Sequence, residues 1–400
     1  MRDDARARAA IEILDNFLTG NHLNQTLAKW NKDNKFAGSS DREKIRDVVF
    51  DVLRLRNTLK YPIKLEKIRE SGRSLMLSYV LYKNLNIENF FTGSKYGPNV
   101  LDTHERNILE KFFLIKDDFF QKKYDVPDFL VNDLKLSLCQ NFERIMSGLG
   151  ERAPIFVRVN IMKTDLSNVI EELKGEGISS EICSNSKQGL RISNNFRRIK
   201  MSKMFQEGLL EFQDLNSQKV IEECDFSEQS KILDFCAGAG GKILCLASLL
   251  KGKGNFYAFD IDRKKLKSLE DRAKKAGITV NLLDEKEIKE LNGSFDCIIL
   301  DVPCSGSGAW RRNPQQKWRI TQENIDNLND LQLELLKTAK SLLKRKGKLI
   351  YITCSLLKSE NEIIVERFLV ENPTFSFFRQ KHYYPGGSGD GFYCAELKKN

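Results

Sequence analysis

The spacing of apolar residues changes twice along this 400-residue chain. Up to about residue 140, apolar positions recur every three or four residues, as they do on one face of a helix. Ile45, Val48, Val49, Val52 and Leu53 form one such stripe. This spacing predicts an all-α domain over residues 1–142.

Shorter alternating patterns follow between residues 143 and 204. Residues 153–160 alternate between apolar and polar positions as a strand does, whereas residues 165–174 have helical spacing. Residues 178–183 and 189–192 predict two further short strands. We therefore expect a small α+β subdomain.

From residue 205 onward, strand and helix patterns alternate, which favours a parallel sheet covered by helices. The predicted strands are residues 231–235, 255–259, 279–282, 297–300 and 348–352. The predicted helices are residues 241–250, 263–276, 321–343 and 360–370. The fold class expected for residues 205–400 is a Rossmann-like α/β domain.

The composition, with 41% hydrophobic and 30% charged residues, is typical of a globular protein with hydrophobic cores. No apolar stretch approaches the roughly 18 residues that a membrane helix needs. The first residues also lack the apolar core of a signal peptide, so a cytoplasmic protein that binds no membrane is expected.

The net charge of +10 favours a polyanionic partner, because phosphate neutralisation supplies affinity that does not depend on sequence. Two local clusters strengthen this interpretation. They are Arg197, Arg198, Lys200 and Lys203, and Arg311, Arg312, Lys317 and Arg319 around Trp318.

Cysteine and histidine spacing argues against a metal site. The chain has nine cysteines, no Cys-x-x-Cys pair and three histidines, none of which neighbours a cysteine in sequence. We expect reduced thiols and no bound metal.

A glycine-rich turn follows the first predicted strand of the α/β domain and opens its first helix. Such a turn lets a ligand approach the backbone at a helix N-terminus. A phosphate-binding P-loop would need Gly at Cys236 and Ser or Thr at Ile243, and a dinucleotide fingerprint would need Gly at Ile243. The turn therefore matches neither phosphate-binding motif. It fits S-adenosylmethionine, a sulfonium ligand that carries no phosphate.

Acidic residues after successive strands support that cofactor. Asp260 is placed to bind ribose hydroxyls, Asp284 to reach the adenine amino group, and Asp301 to lie beside the reactive methyl, while Asp234 ends the first strand. Glu285 and Glu287 are neighbouring candidates for the adenine contact. The predicted cofactor-binding residues are Cys236, Ala237, Gly238, Ala239, Gly240, Gly241, Lys242, Asp260, Asp284 and Asp301.

Cys304 and Cys354 each directly follow an apolar, β-rich run, and this places both thiols at the carboxyl edge of the sheet. A thiolate beside a transferable methyl has a defined use: by adding to carbon 6 of cytosine it makes carbon 5 nucleophilic. A buried, inert thiol is the alternative. We expect residues 305–308 to form a flexible loop unsuited to packing, which argues against that alternative for Cys304.

The motifs resemble those of the Sun/Nol/Nop family of RNA cytosine-5 methyltransferases. Residues 301–314 and 351–362 resemble motifs IV and VI of that family, and residues 234–242 look like motif I. Residues 205–218 are similar to its upstream motif, and residues 390–397 to its terminal hairpin.

Residues 38–54 are similar to the NusB-like helical domain of the RsmB (Fmu, Sun) subgroup. This resemblance implies a NusB-like RNA-binding domain over residues 1–142, a small RNA-binding subdomain over 143–204 and a class I methyltransferase domain over 205–400. It also implies small-subunit (16S) ribosomal RNA as substrate, either naked or in an early assembly intermediate, and we expect a monomer.

The resemblance further assigns the catalytic roles. Cys354 is implied to be the nucleophile and Cys304 to assist breakdown of the covalent adduct, while Asp301 and Lys242 help hold the base. A cytosine-5 methyltransferase of another RNA such as tRNA, a DNA or small-molecule methyltransferase, and a catalytically idle ribosome assembly factor are the alternatives.

Overall fold

The structure is a computed structural model that describes residues 1–114 and 124–400. The chain divides into two compact units. The first, called the helical unit below, comprises Met1–Val131, Met146–Arg152 and Trp310–Arg319; the second comprises Asn132–Ile145, Ala153–Ala309 and Ile320–Asn400. The three domain boundaries expected from the sequence stay a prediction.

Within residues 1–114 and 124–150 the regular structure is helical, as the apolar spacing predicts. They are α1 (Asp3–Leu18), α2 (Leu23–Asp33), α3 (Ser39–Arg54), α4 (Arg56–Leu65), α5 (Gly72–Tyr82), α6 (Thr103–Leu114), α7 (Val131–Leu138) and α8 (Phe142–Leu149). The predicted stripe on α3 faces inward, with Ile45, Val49, Val52 and Leu53 buried and Val48 half-buried.

A four-stranded antiparallel sheet follows in the second unit, in the order β2-β3-β1-β4. Its elements are β1 (Ile155–Val159), α9 (Leu166–Gly175), β2 (Ser180–Ile182), β3 (Gly189–Ile192), α10 (Lys203–Gln206) and β4 (Leu210–Phe212). The predicted strands and helix of this region are present. The short strand β4 was not expected, and it lies beyond residue 204.

The remaining residues form a seven-stranded sheet in the order β10-β11-β9-β8-β5-β6-β7. The elements begin with α11 (Leu215–Glu222), β5 (Lys231–Asp234), α12 (Gly241–Leu249), β6 (Asn255–Ala258), α13 (Arg263–Ala276), β7 (Asn281–Leu282) and α14 (Glu285–Glu290). They continue with β8 (Phe295–Asp301), α15 (Pro314–Lys317), α16 (Gln322–Leu342), β9 (Leu343–Thr353), α17 (Glu362–Glu371), β10 (Phe375–Tyr383) and β11 (Phe392–Lys399).

The predicted Rossmann-like class is confirmed. Strands β5 to β9 pair in parallel, and the β10–β11 hairpin joins antiparallel to β9. From β5 the chain builds to one side through β6 and β7, and then to the other through β8 and β9. The order therefore reverses between β5 and β8, and ligands of such sheets bind outside the carboxyl ends of the strands at that point.

Residues 310–319 lie within the α/β part of the sequence but belong to the helical unit. Arg54 Nε donates to the Arg311 carbonyl at 2.7 Å, Lys317 Nζ donates to the Arg54 carbonyl at 2.8 Å, and Trp318 Nε1 donates to the Leu53 carbonyl at 2.7 Å. The Trp318 ring packs against the helical core. The end of α3 is thus capped by a segment that is distant in sequence.

This burial corrects one expectation from the sequence. Arg311 and Lys317 were expected to form part of a polyanion-binding cluster, yet both are buried. Burial lowers the pKa of Lys317 to about 7, although the charge of Asp125 acts in the opposite direction. By contrast, Arg197 and Lys200 of the other cluster are exposed.

Among the described residues, no helix is both long enough and apolar enough to cross a membrane.

Candidate active site

The two predicted thiols lie next to each other. β8 ends at Asp301 and β9 at Thr353, and these neighbouring parallel strands deliver Cys304 and Cys354 just past their carboxyl ends. The two Sγ atoms are 3.4 Å apart, and both side chains are partly accessible. The sheet therefore gathers at one edge residues that are 50 positions apart in sequence.

Lys242 and Asp301 form an ion pair at the same edge. Lys242 lies in the first turn of α12, and its Nζ is 2.5 Å from Asp301 Oδ2 and 5.3 Å from the centre of the Phe392 ring. Burial alone would lower the pKa of Lys242, but the nearby Asp301 carboxylate raises it, and Cys354 adds to that effect. Lys242 is therefore an ammonium in the folded protein.

Asp234 is a buried acid with an unused oxygen. It ends β5, and among the residues that the structure describes its Oδ1 has no hydrogen-bond partner. Burial, and after it the charge of Asp301, raises the pKa of Asp234 to about 7. Because a buried polar atom without a partner costs free energy, this oxygen suits a ligand that donates a hydrogen bond or carries positive charge.

The glycine turn between β5 and α12 needs glycine at two positions. Gly238 and Gly240 have φ angles of +54° and +82°, in the left-handed region that favours glycine. A Cβ at Gly240 would lie 2.5 Å from Leu269 Cγ, whereas one at Gly238 would meet no atom of the described residues within 4 Å. The turn is thus packed against α13 on one side and leaves space beside Gly238.

Asp260 fixes this turn to the end of β6. Its Oδ2 accepts from the Gly238 N–H and its Oδ1 from the Asp262 N–H, both at 2.8 Å. The predicted ribose contact would therefore involve a carboxylate that is already held in place by the backbone.

Asp284 also has a structural role that the sequence analysis missed. It is the N-cap of α14, and its Oδ1 accepts from the N–H groups of Lys286 and Glu287. These bonds lower the pKa of Asp284. Its adenine contact stays a prediction, as does the predicted lining role of Cys236, whose pKa burial raises.

Arg272 supports the turn from the other side and was missed by sequence analysis. Its guanidinium donates to the Ala239 carbonyl and is paired with Glu211 of β4 at 2.7 Å. Arg158 of β1 pairs with the same Glu211 at 2.8 Å. The small sheet therefore helps to hold the glycine turn, and no local sequence signal indicates this.

The residues after Cys304 differ from the expectation. Residues 305–308 were expected to be flexible and unsuited to packing, but Ser305 and Ser307 are buried. The Gly308 N–H also donates to the Cys354 carbonyl at 2.9 Å. The serines satisfy their polar groups within a buried network around Glu360, which is why a polar sequence can pack here.

The charges of the crevice indicate its ligand class. Asp234, Asp260 and Asp301 would repel a pyrophosphate, whereas a ligand with a sulfonium and an ammonium group would complement them. Among residues 1–114 and 124–400, no three His, Cys, Asp or Glu side chains cluster as metal ligands would. The residues present fit S-adenosylmethionine.

Two protein-family descriptions match the sequence. Residues 223–398 match "16S rRNA methyltransferase RsmB/F", and residues 126–197 match the ferredoxin-like domain of the RsmF/B-like methyltransferases. The second match agrees with the four-stranded antiparallel sheet.

Individual proteins match as well. The probable ribosomal RNA small subunit methyltransferase B of Bacillus subtilis is 31% identical over 224 residues, which is 55% of this chain and only 50% of that protein. The protein of the same name from Synechocystis is 29% identical over 76% of this chain and 70% of its own length. The crystal structure of the protein PH0851 superposes with a TM-score of 0.76, at 25% identity and 99% coverage of both chains. The chain belongs to the RsmB/F family of methyltransferases.

Proposed function

We propose that this protein transfers a methyl group from S-adenosylmethionine to carbon 5 of one cytidine in small-subunit ribosomal RNA. The observation that carries the proposal is the 3.4 Å approach of Cys304 and Cys354 beside the Lys242–Asp301 pair. The ribosomal substrate is supported by the names of the relatives. A cytoplasmic location and a monomeric state stay predictions.

The cofactor would be held at the carboxyl ends of β5, β6 and β8. The Asp234 carboxyl would face its cationic part, the space beside Gly238 would admit it to the backbone, and Asp260 would bind the ribose. When bound, S-adenosylmethionine supplies an electrophilic methyl group. Asp284 remains the proposed adenine contact.

Bond formation is the task of Cys354. After its proton has passed to water, its Sγ adds to carbon 6 of the ring, and the electron pair of the carbon 5–carbon 6 double bond shifts toward the N3 edge. Lys242 and Asp301, which pair with each other at the carboxyl edge of the sheet, would hydrogen-bond the N3 edge and so favour the addition. Carbon 5 then has the electron density needed to take the methyl group.

Release is the task of Cys304. Its hydrogen bond with Cys354 and its burial raise its pKa well above the ordinary thiol value, so it stays protonated beside the free nucleophile. The first of these causes is lost once Cys354 is bonded to carbon 6. Cys304 can then lose its proton to water and take the carbon 5 proton, whose bonding pair restores the double bond as the Cys354 sulfur leaves.

The two thiols can be tested separately. Cys354→Ala should abolish both methylation and covalent attachment to RNA, because no carbon 6 adduct can form. Cys304→Ala should instead accumulate a covalent protein–RNA complex, because the adduct forms but does not resolve. Denaturing electrophoresis with labelled RNA detects the complex, and bisulfite sequencing detects the product.

Cys139→Ala is the matched control, since this exposed cysteine lies outside the crevice and its loss should change neither readout. Naked 16S ribosomal RNA, small-subunit assembly intermediates and tRNA are compared as substrates. Normal turnover by both variants would overturn the two-thiol mechanism, and methylation of tRNA alone would overturn the ribosomal assignment.

A further inference from the structure

Glu360 is a fully buried carboxylate located between the two loops that carry the thiols. We call residues 302–308 the Cys304 loop and residues 354–357 the Cys354 loop. Glu360 ends the short helix Lys358–Glu360 and has 0% exposure. A charged group buried to this extent is rare unless its surroundings satisfy it fully.

Both loops donate hydrogen bonds to this one carboxylate. From the Cys304 loop, Ser305 donates its backbone N–H to Oε1 at 2.7 Å and its hydroxyl to Oε2 at 2.5 Å. From the Cys354 loop, the Ser355 hydroxyl donates to the same Oε2. Each donating serine immediately follows a cysteine, so the carboxylate acts one residue away from each thiol.

The hydrogen bonds around Glu360 have defined donors and acceptors. Because the Ser355 hydroxyl gives its proton to Oε2, the Ser307 hydroxyl must be the donor in its 3.1 Å contact with Ser355 Oγ. Ser307 Oγ accepts in turn from the Leu356 N–H at 2.7 Å. The loops are therefore joined by hydrogen bonds of fixed direction.

Neighbouring elements hold the carboxylate in place. Gln332 of α16, also buried, donates from Nε2 to Glu360 Oε1 at 3.3 Å and to the Pro303 carbonyl at 3.0 Å. The Tyr351 hydroxyl donates to the Glu360 carbonyl at 2.7 Å. Hydrogen bonds to an ionised acceptor in a dry site are strong and directional, so small shifts of Glu360 would be passed to both loops.

We propose that Glu360 is a positioning residue: its carboxylate joins the Cys304 loop to the Cys354 loop and thereby sets the distance between the two thiols. This role rests on the proposed function, because a fixed thiol–thiol distance matters when one sulfur bonds the ring and the other takes its proton. Glu360 itself does not touch the reacting atoms.

Two variants test the role by different routes. Glu360→Gln keeps the shape but replaces an acceptor oxygen by an NH₂ group that faces two hydroxyl donors. Ser355→Ala removes the one side-chain link from the Cys354 loop and leaves the charge in place. Glu362→Gln is the matched control, because this neighbouring, half-buried carboxylate pairs with His382 at 2.9 Å and not with either cysteine loop.

The first readout needs no RNA. Diamide oxidises two thiols to a disulfide and is itself reduced to the hydrazine, and mass spectrometry of peptides measures the Cys304–Cys354 linkage. Both test variants should form it about tenfold more slowly than the wild type, because misplacement by about 1 Å strongly slows a reaction between held groups. The buried pair of Cys224 and Cys394, with sulfur atoms 4.0 Å apart, serves as an internal reference that should not change.

The second readout is catalysis. Both test variants should lower kcat by about tenfold with KM for RNA within about twofold, since RNA binding is left intact. The Glu360 charge is one of the causes that raise the pKa of Cys304. The pH profile of adduct release should therefore move to lower pH in Glu360→Gln but not in Ser355→Ala, a difference that a loss of stability alone would not produce.

Wild-type rates of disulfide formation and turnover in both test variants would overturn the positioning role. If Glu360→Gln does not fold, the rate of disulfide formation and the kcat of Ser355→Ala test the positioning role instead. The two proposals can also fail separately. If the wild type methylates no RNA but the variants still form the disulfide more slowly, the positioning role is supported and only the proposed function is overturned.

Discussion

Two clusters of basic residues look alike in the sequence and differ in the structure. Arg197, Arg198, Lys200 and Lys203 are all exposed around the short helix Phe196–Met201. In the segment 310–319, Arg311 and Lys317 are buried, and the backbone carbonyls at the end of α3 accept hydrogen bonds from Lys317 and Trp318. A count of charges therefore does not identify a surface for RNA.

Two tryptophans distinguish the buried cluster from the exposed one. Trp310 and Trp318 bracket the buried cluster, and both rings lie in or against the apolar interior. The exposed cluster has no tryptophan beside it; its neighbours are the half-buried Phe196 and the buried Ile199 and Met204. Large aromatic side chains contribute much of the free energy gained on burial. Two cations adjacent to these tryptophans are therefore buried beside them.

The comparison is tested most strongly at Lys317. Lys317→Ala should lower the free energy of unfolding of the helical unit by about 3 kcal/mol, because a buried side chain is truncated and the Arg54 carbonyl loses its donor. Denaturant titration followed by tryptophan fluorescence measures this selectively. All three tryptophans, Trp30, Trp310 and Trp318, belong to that unit.

Lys200→Ala is the control and should leave the same transition within about 0.5 kcal/mol, as surface substitutions do. A Lys317→Ala protein as stable as the Lys200→Ala protein would mean that the two clusters do not differ energetically.

The exposed cluster should matter for RNA instead. Replacing Arg197, Arg198, Lys200 and Lys203 by alanine should weaken RNA binding by about tenfold or more and flatten its salt dependence, because fewer phosphates are neutralised. Filter binding at several salt concentrations measures both effects, and the fluorescence transition should not move.

A variant that exchanges arginine and lysine at these four positions keeps the charge and should keep most of the affinity. Equal salt dependence in the wild type and the alanine variant would remove this surface from the RNA-binding interface.

The smallest expected effect is a pH dependence. Burial lowers the pKa of Lys317 from its ordinary 10.5 to about 7, so between these values the unfolded chain binds more protons than the folded chain. Stability then rises with pH. From pH 7 to pH 8 the wild type should gain about 1 kcal/mol relative to Lys317→Met, which packs similarly but does not titrate.

The gain should be absent below pH 6, where Lys317 is protonated in both states. A stability difference between the two proteins that is constant from pH 6 to pH 8 would show that Lys317 does not titrate in this range.

The sequence was informative where a periodic pattern sufficed. The five strands and four helices predicted for the α/β domain lie within a few residues of observed elements, except that β9 begins at Leu343, earlier than its apolar run indicates. The helices α11, α14 and α15 and the strand β10 were not predicted. The adjacency of Cys304 and Cys354 followed from one rule about the carboxyl ends of parallel strands.

What the sequence did not reveal depends on distant partners. Ser305 and Glu360 are 55 positions apart, and Arg54 and Lys317 are 263 apart. No local pattern distinguishes a serine that donates to a buried carboxylate from one in a mobile loop. The capping of α14 by Asp284 was visible in principle, since Glu287 completes a capping box.

The contribution of residues 310–319 to the helical unit also has a consequence for how the protein is made. Domains of a growing chain generally fold in order, N-terminal first. Here the first 131 residues emerge from the ribosome without Trp318, and the carbonyls of Leu53 and Arg54 then lack their partners. The N-terminal unit is therefore completed only after synthesis has passed residue 319, when the strand that leads to Cys304 has already been made.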